Sequence, residues 1–134
     1  MEIDVRYLAG FFDGEGCIQL VNRVTKEGKQ RSNMSVVITQ ANLDILHDIE
    51  LRYKGSIYEL KKTPNKCWQL VLSASNALEF LQDVVPYLII KKEQALLAIE
   101  FQEHLSSNKS RAKVSIEDLL YRSNLATKVK SLKI

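Results

Sequence analysis

The sequence predicts an α+β fold in which a four-stranded antiparallel sheet is backed by helices. Three observations lead there. Two pairs of strand-like runs, Cys17 to Val24 with Ser32 to Thr39 and Ser56 to Leu60 with Cys67 to Leu72, are each joined by a short basic turn, as hairpins are. Stretches with helical apolar spacing precede each pair and follow the second, so the order reads αββαββα. A long helix and a C-terminal one follow, and 134 residues are enough to give these elements a core as one domain over 1–134.

Val5 to Asp13 reads as a short helix that stops at a glycine-rich end, with Gly14 and Gly16 as the expected left-handed caps. Gly10 and Gly14 lie four apart and leave one face bare, which lets another backbone come close. Leu8, Phe11 and Phe12 remain to anchor the helix in its own core. Glu15 is expected just past the helix end, where partial negative charge and free carbonyls suit a hard divalent cation. On residue types alone, a plain helix closed by a glycine turn is the simpler reading.

In the first hairpin Ile18, Leu20, Met34, Val36 and Ile38 alternate toward the core. Gln19, Val21, Arg23, Arg31, Asn33, Ser35 and Val37 then share the opposite, partly basic face, which a solvated sheet surface would also explain. Asn42 can cap a helix to about Tyr53 carrying Leu43, Leu46 and Ile49, with Gly55 ending it. Trp68, Leu70 and Leu72 point inward and Gln69 and Val71 outward, while the parity of Tyr58 and Leu60 is open. Ser75 or Asn76 caps a third helix with Leu78, Leu81 and Val85 inward and Pro86 beyond its end. A long helix is expected from about Ile90 to Leu105, then a polar loop over Ser106 to Lys113. Ser115 and Asp118 form a capping box for a last helix bearing Leu119, Leu120 and Leu125, and Lys128, Lys130 and Lys133 read as a solvated basic tail.

A net charge of +3 is weak support for a polyanionic partner. No apolar run approaches a membrane span, and the first helix begins too early to leave room for a targeting peptide. The expectation is a soluble intracellular protein, in a bacterial or phage cytoplasm or organelle-encoded. Cys17 and Cys67 make no metal pattern, and His47 and His104 have no ligand-spaced partner.

The stretch Leu8-Ala9-Gly10-Phe11-Phe12-Asp13-Gly14-Glu15-Gly16 resembles the signature of the LAGLIDADG homing endonucleases. Leu8, Ala9, Gly10, Asp13 and Gly16 stand as in that signature; Phe11, Phe12, Gly14 and Glu15 depart from it conservatively or in ways common in the family. Pro86-Tyr87-Leu88-Ile89-Ile90-Lys91-Lys92-Glu93-Gln94-Ala95 looks like the family's second landmark, a proline, an apolar pair and a basic pair opening a long helix. With the order of elements between them, the resemblance covers nearly the whole chain.

The resemblance implies a saddle-shaped sheet and a site-specific endonuclease that cuts both strands of a long, near-palindromic DNA target, leaving short 3′ overhangs, in intron or intein mobility. An RNA maturase or DNA-binding regulator on the same scaffold is the alternative, and a sheet domain for protein partners the unrelated one. One motif per chain implies a homodimer whose signature helices cross at a two-fold axis, with Leu8, Gly10, Asp13 and Gly14 at the contact and Asp13 structural rather than metal-binding. Glu15 and the Gly14 carbonyl are then the metal ligands, for Mg²⁺, with Mn²⁺ able to substitute and Ca²⁺ binding without supporting cleavage. Lys91 matches the basic residue near the scissile phosphate and Gln40 a residue that orders water; a helper arginine is replaced by Asp44, leaving Arg31 or Lys92 to serve. No small-molecule cofactor and no membrane partner is implied. For double-stranded DNA, the outward Gln19, Arg23, Arg31, Asn33, Ser35, Tyr58 and Gln69 suit base edges, and the tip lysines Lys26, Lys29, Lys61, Lys62 and Lys66 suit phosphates.

Overall fold

The computed structural model describes residues 3–61, 64–107 and 114–133. Its elements are α1 (Val5–Glu15), β1 (Gly16–Val24), β2 (Gln30–Gln40), α2 (Leu43–Tyr53), β3 (Ser56–Leu60), β4 (Cys67–Ser73), α3 (Ala74–Val84), a 3₁₀ turn (Val85–Tyr87), α4 (Lys92–Ser107) and α5 (Ile116–Leu132). The expected order therefore stands.

Asp4 starts α1 by accepting the Arg6 N–H at 2.7 Å. The helix does not stop at Asp13. It continues through Gly14 to Glu15, and Gly16 is extended (φ −94°, ψ 167°), so neither glycine is a left-handed cap. The helix passes straight into β1, and Gly16 is needed for space: a Cβ there would run into the Phe12 ring. Asn42 caps α2 as expected, accepting from the Ile45 N–H at 3.2 Å. That helix is closed by Lys54, which takes the left-handed conformation at φ 61°. Gly55 has a different job, since a Cβ on it would lie 2.8 Å from the Val71 carbonyl oxygen. Ser73, rather than Ser75 or Asn76, precedes α3, and no side chain caps it. Asn76 instead donates to the Lys54 carbonyl at 3.2 Å. The buried stripe of α3 is Ala77, Phe80, Leu81 and Val84, one step round from the expected one. Gly28 at φ 80° makes the first hairpin turn.

The sheet order is β1-β2-β4-β3, all antiparallel. Register pairs Ile18 with Val36, Ile38 with Leu70 and Val36 with Leu72, and these five are buried. They form one face, as alternation dictates. Helices cover that face: Phe80 meets Phe12 and Tyr53 edge-on, each at 5.2 Å between ring centres. The buried Tyr53 hydroxyl donates to Asp83 at 2.7 Å, and burial together with that bond pushes its pKa up.

α5 runs beside the edge strand β1. The Asn22 amide donates to the Leu119 carbonyl at 3.2 Å and to the Ser123 hydroxyl at 2.8 Å. The buried Arg122 donates to His104 Nδ1 at 3.2 Å and to the Ser32 hydroxyl at 3.3 Å, and His104 also meets Asp118 at 3.3 Å. His104, isolated in sequence, thus joins α4 to α5. Ser115 caps α5 as expected, accepting the Asp118 N–H at 3.1 Å. Within the described residues, no helix is long and apolar enough to cross a membrane.

The crowding at Gly55 gives a test of the α2–β4 contact. Gly55→Ala should destabilise the fold by about 1–3 kcal/mol, because backbone as well as side chains must move. Chemical denaturation should show a lower midpoint at unchanged slope.

Candidate active site

The end of α1 meets the start of α4, and one carboxylate joins them. Asp13, 9% exposed, accepts the Ile89 N–H at 2.8 Å and the Lys91 N–H at 2.9 Å. In return the Lys91 ammonium donates to the Asp13 carbonyl oxygen at 2.6 Å. Lys91 is also the residue whose carbonyl accepts the first helical bond of α4, from the Ala95 N–H at 2.8 Å. Asp13 therefore binds the backbone N–H of the N-cap position itself, as the reciprocal acceptor of a capping box does, but from another helix. It also explains why α4 begins at Lys92 and not at Ile90: the N–H groups on both sides of Ile90 are committed to Asp13. Burial pushes the Asp13 carboxyl up, but the N–H groups of Ile89, Lys91 and Ile90 and the Lys91 charge outweigh it and hold it below the usual range.

Asp13 thus clamps residues of its own chain, and one expectation about the helix contact is corrected. Leu8 is buried in the chain's own core and cannot face a partner. Gly10 and Gly14 do behave as expected of a bare face: both are exposed, and a Cβ on either would meet nothing within 4 Å. Tyr7, Tyr87, Ile89 and Ile90 are exposed as well, with the Arg6 guanidinium 5.7 Å from the Tyr87 ring centre.

Glu15 is the exposed last residue of α1, two residues beyond Asp13 and one before β1. Gly14 shares that last turn. Among the described residues, no group of three His, Cys, Asp or Glu could hold a metal. The Glu15 carboxylate and the Gly14 carbonyl are hard oxygen donors on one exposed helix end. Gln40 ends β2 two residues past the Gly16–Ile38 pair, at the same end of the sheet. Its side-chain Oε1 accepts from the N–H groups of Ala41 and Asn42 at 2.9 and 3.3 Å, which fixes the side-chain amide at the strand end. Of the two substitutes for the helper arginine, Arg31 is ruled out by position. It pairs with Arg23 beside the hairpin tip, seven strand pairs from the Gly16 end. Lys92 is exposed at the first turn of α4.

The uncovered sheet face carries Gln19 opposite Ser35, Val21 opposite Asn33, Arg23 opposite Arg31 and Tyr58 opposite Gln69. The parity left open for Tyr58 and Leu60 resolves outward, since Tyr58 pairs with Gln69 and Leu60 with Cys67. Two arginines directly opposed on a sheet repel. Neither β1 nor β2 carries a carboxylate on this face to offset them. Lys26, Lys29, Lys61 and Lys66 are exposed at the two tips, and Lys62 lies outside the described residues.

Sequence reasoning missed the C-terminal end of α5. Lys128, Lys130 and Lys133 are exposed as expected, but Val129 between them is buried and Lys133 reaches the β1 residue Cys17, so the end of the helix is docked. Only long-range packing sets this; no local spacing signals it.

The sequence profile of the LAGLIDADG endonucleases matches residues 8–92, more than half of the chain. Comparison with curated proteins gives no match. Among solved structures, the chain is similar to the archaeal intron-encoded homing endonuclease I-Vdi141I complexed with DNA, at 23% identity over 97% of this chain and 84% of that one, with a TM-score of 0.82. It is also similar to I-CvuI in complex with the I-CreI target in the presence of Mg, at 25% identity over 96% and 81%, TM-score 0.77. I-SmaMI bound to cleaved DNA matches at 21% identity over 92% of this chain but 43% of that one, TM-score 0.72.

The Asp13 clamp predicts a pH-dependent variant effect. Asp13→Asn keeps one acceptor and loses the charge, which should cost about 1.5–3 kcal/mol of unfolding free energy at neutral pH. Because the folded-state pKa lies below that of an ordinary aspartate, the carboxylate's contribution is complete above the ordinary value and is lost as pH falls through the folded one. The stability gap between native and variant protein, read by denaturant titration, should therefore close under acid and nowhere else.

Proposed function

The chain belongs to the LAGLIDADG endonuclease family, and from that premise we propose that two copies of it clasp a DNA duplex and cut both strands where their α1 helices meet. Family membership makes it a site-specific, metal-dependent DNA endonuclease. The observation that carries the finer reading is the half-complete site at the end of α1. One chain has one Glu15 carboxylate at a helix terminus, beside a glycine face with open space in front of it.

A second copy completes that site. Gly10 and Gly14 allow the two helices to approach closely, and Tyr7, Tyr87, Ile89 and Ile90 supply an apolar rim. I-SmaMI, of which this chain covers 43%, is long enough to hold two such units; I-Vdi141I, covered to 84%, is not. The paired Glu15 carboxylates and Gly14 carbonyls are a hard-oxygen donor set, which favours Mg²⁺, with Mn²⁺ as substitute and Ca²⁺ as a non-cleaving competitor. The bound ions supply charge neutralisation at the attacking and leaving oxygens of the phosphodiester.

The remaining work falls to the chain's own residues. Glu15 holds the cation side of the site. Lys91, whose ammonium sits 2.6 Å from the Asp13 carbonyl, faces the negative charge that develops on the phosphate. The side-chain amide of Gln40 orients water. Gln19, Arg23, Arg31, Asn33, Ser35, Tyr58 and Gln69 read base edges in the major groove, and Lys26, Lys29, Lys61, Lys62 and Lys66 track the phosphates. The domain spans 1–134, and each copy covers one half of a near-palindromic site.

The site-separating experiment uses a target selected from a randomised DNA library in Mg²⁺. Glu15→Gln should lower single-turnover cleavage by about 10²-fold or more, while binding in Ca²⁺ stays within a few-fold of native. A variant that cuts at the native rate would remove Glu15 from the site. Gly10→Leu should shift the protein from dimer to monomer in sedimentation; an unchanged dimer would mean that this face is not the contact.

A further inference from the structure

Beside the end of α1 lies a half-open cleft of about 320 Å³, lined by Gly16, Cys17, Lys91, Gln94 and Lys133 among others. No carboxylate is among its lining residues, and two lysines are. Two ammonium groups sharing a concave space without an acid raise the local positive potential and suit an anion. The cleft begins at the residue following Glu15, so an anion in it lies beside the α1 terminus.

Lys133 is brought there by fixed structure. Asn22 holds the first half of α5 to β1, through bonds of 3.2 and 2.8 Å. At the other end the buried Gln94 amide donates to the Leu132 carbonyl at 3.5 Å, and Val129 is packed in the core. The helix therefore runs antiparallel to β1 and delivers Lys133 to Cys17, with its ammonium 3.6 Å from the thiol sulfur. Sulfur is a weak acceptor and leaves most of the donating capacity of the ammonium unused. Lys91 differs, since one of its protons is already given to the Asp13 carbonyl. A second groove between β1 and α5, lined by Gln19, Val21, Lys130 and Lys133 among others, shares Lys133 with this cleft.

We propose that Lys133 is a phosphate-contacting residue of the cleavage site, sharing with Lys91 a seat for a DNA backbone phosphate next to the Glu15 end of β1. The proposal rests on the reading of this chain as a DNA endonuclease whose site is at Glu15. It adds a cation from an element that lies outside residues 8–92, the part matched by the family profile. Gln94 is the positioning residue, acting through the backbone of Leu132.

The test compares Lys133→Met, Lys133→Arg and the control Lys128→Met, an exposed site on the same helix. Binding to the target selected from a randomised DNA library is measured in EDTA over a salt series, and single-turnover cleavage of the same duplex in Mg²⁺ at saturating protein. Lys133→Met should lower the slope of log affinity against log salt by about one per chain. It should also slow cleavage about 10-fold or more, with Lys133→Arg close to native and Lys128→Met unchanged in both. A native slope in Lys133→Met overturns the proposal, and so does an arginine variant as impaired as the methionine one. A reduced slope with native cleavage rate also overturns it, by moving the contact away from the scissile bond. If the native protein itself binds with no salt dependence, or Glu15→Gln cuts like native, the underlying reading has failed; in a salt-dependent native protein with an inactive Glu15→Gln, a silent Lys133→Met sinks this inference alone.

Discussion

Two helix ends of opposite polarity meet at Asp13, and the position of everything chemical follows from that meeting. The last turn of α1 carries partial negative charge and the first turn of α4 partial positive charge. A buried carboxylate at the end of α1 would be unfavourable alone, since it adds charge of the same sign to the terminus. It becomes favourable because the N–H groups of Ile89 and Lys91 converge on it and the Lys91 ammonium closes the ring onto the Asp13 carbonyl. The clamp fixes the distance between two residues 78 apart in sequence, so Lys91 and Glu15 belong to one rigid corner.

The sheet then turns that corner into a platform. Its covered face is apolar, with Ile18, Val36, Ile38, Leu70 and Leu72 beneath α1, α3 and α4. Its open face is left polar and partly cationic, with an Arg23–Arg31 pair that costs stability where it stands. Beneath the same hairpin, Asn22, Ser32 and the buried Arg122 form a hydrogen-bonded chain to α5. A long two-stranded ribbon projecting from a small sheet bends easily. Bonding it to a helix at mid-length makes its outward side chains a fixed pattern, which is what base recognition requires.

How much of this could be read from the residues depended on the range of the interaction that fixes each feature. Strand alternation is local, so the faces of Gln19, Arg23, Asn33 and Val36 were legible. Asn42 and Ser115 were legible as caps because a cap acts within three residues. The ends of α1 and α2 were not. Glycine was read there as a conformational device, whereas Gly16 and Gly55 are required by close neighbours, Phe12 in one case and Val71 of another strand in the other. The start of α4 was misjudged for a related reason, because its capping acceptor comes from Asp13 in a different helix. Of the candidate residues, Glu15 and Lys91 were picked out by two motifs and Gln40 by the family resemblance, while the placement of Gln94 and Lys133 depends on how α5 packs and carries no local signature.

The glycines of α1 make the strongest case that the chain is half of its working form. Each glycine inside a helix costs about 0.8–1.0 kcal/mol relative to alanine. Gly16 repays its presence with the room it gives Phe12, and Gly55 with its close approach to Val71. Gly10 and Gly14 repay nothing within the chain, since a side chain on either would stand in open space. Their cost is balanced only if a second surface uses the room. Ile89, 86% exposed, and its neighbour Ile90 follow one another at the segment that Asp13 clamps, where bare apolar side chains would be an aggregation liability on a lone molecule. In the proposed dimer a like helix would bring its own bare stripe into register by two-fold symmetry. The same symmetry would duplicate Glu15, so that a single exposed carboxylate, a weak cation ligand alone, would become one of a pair.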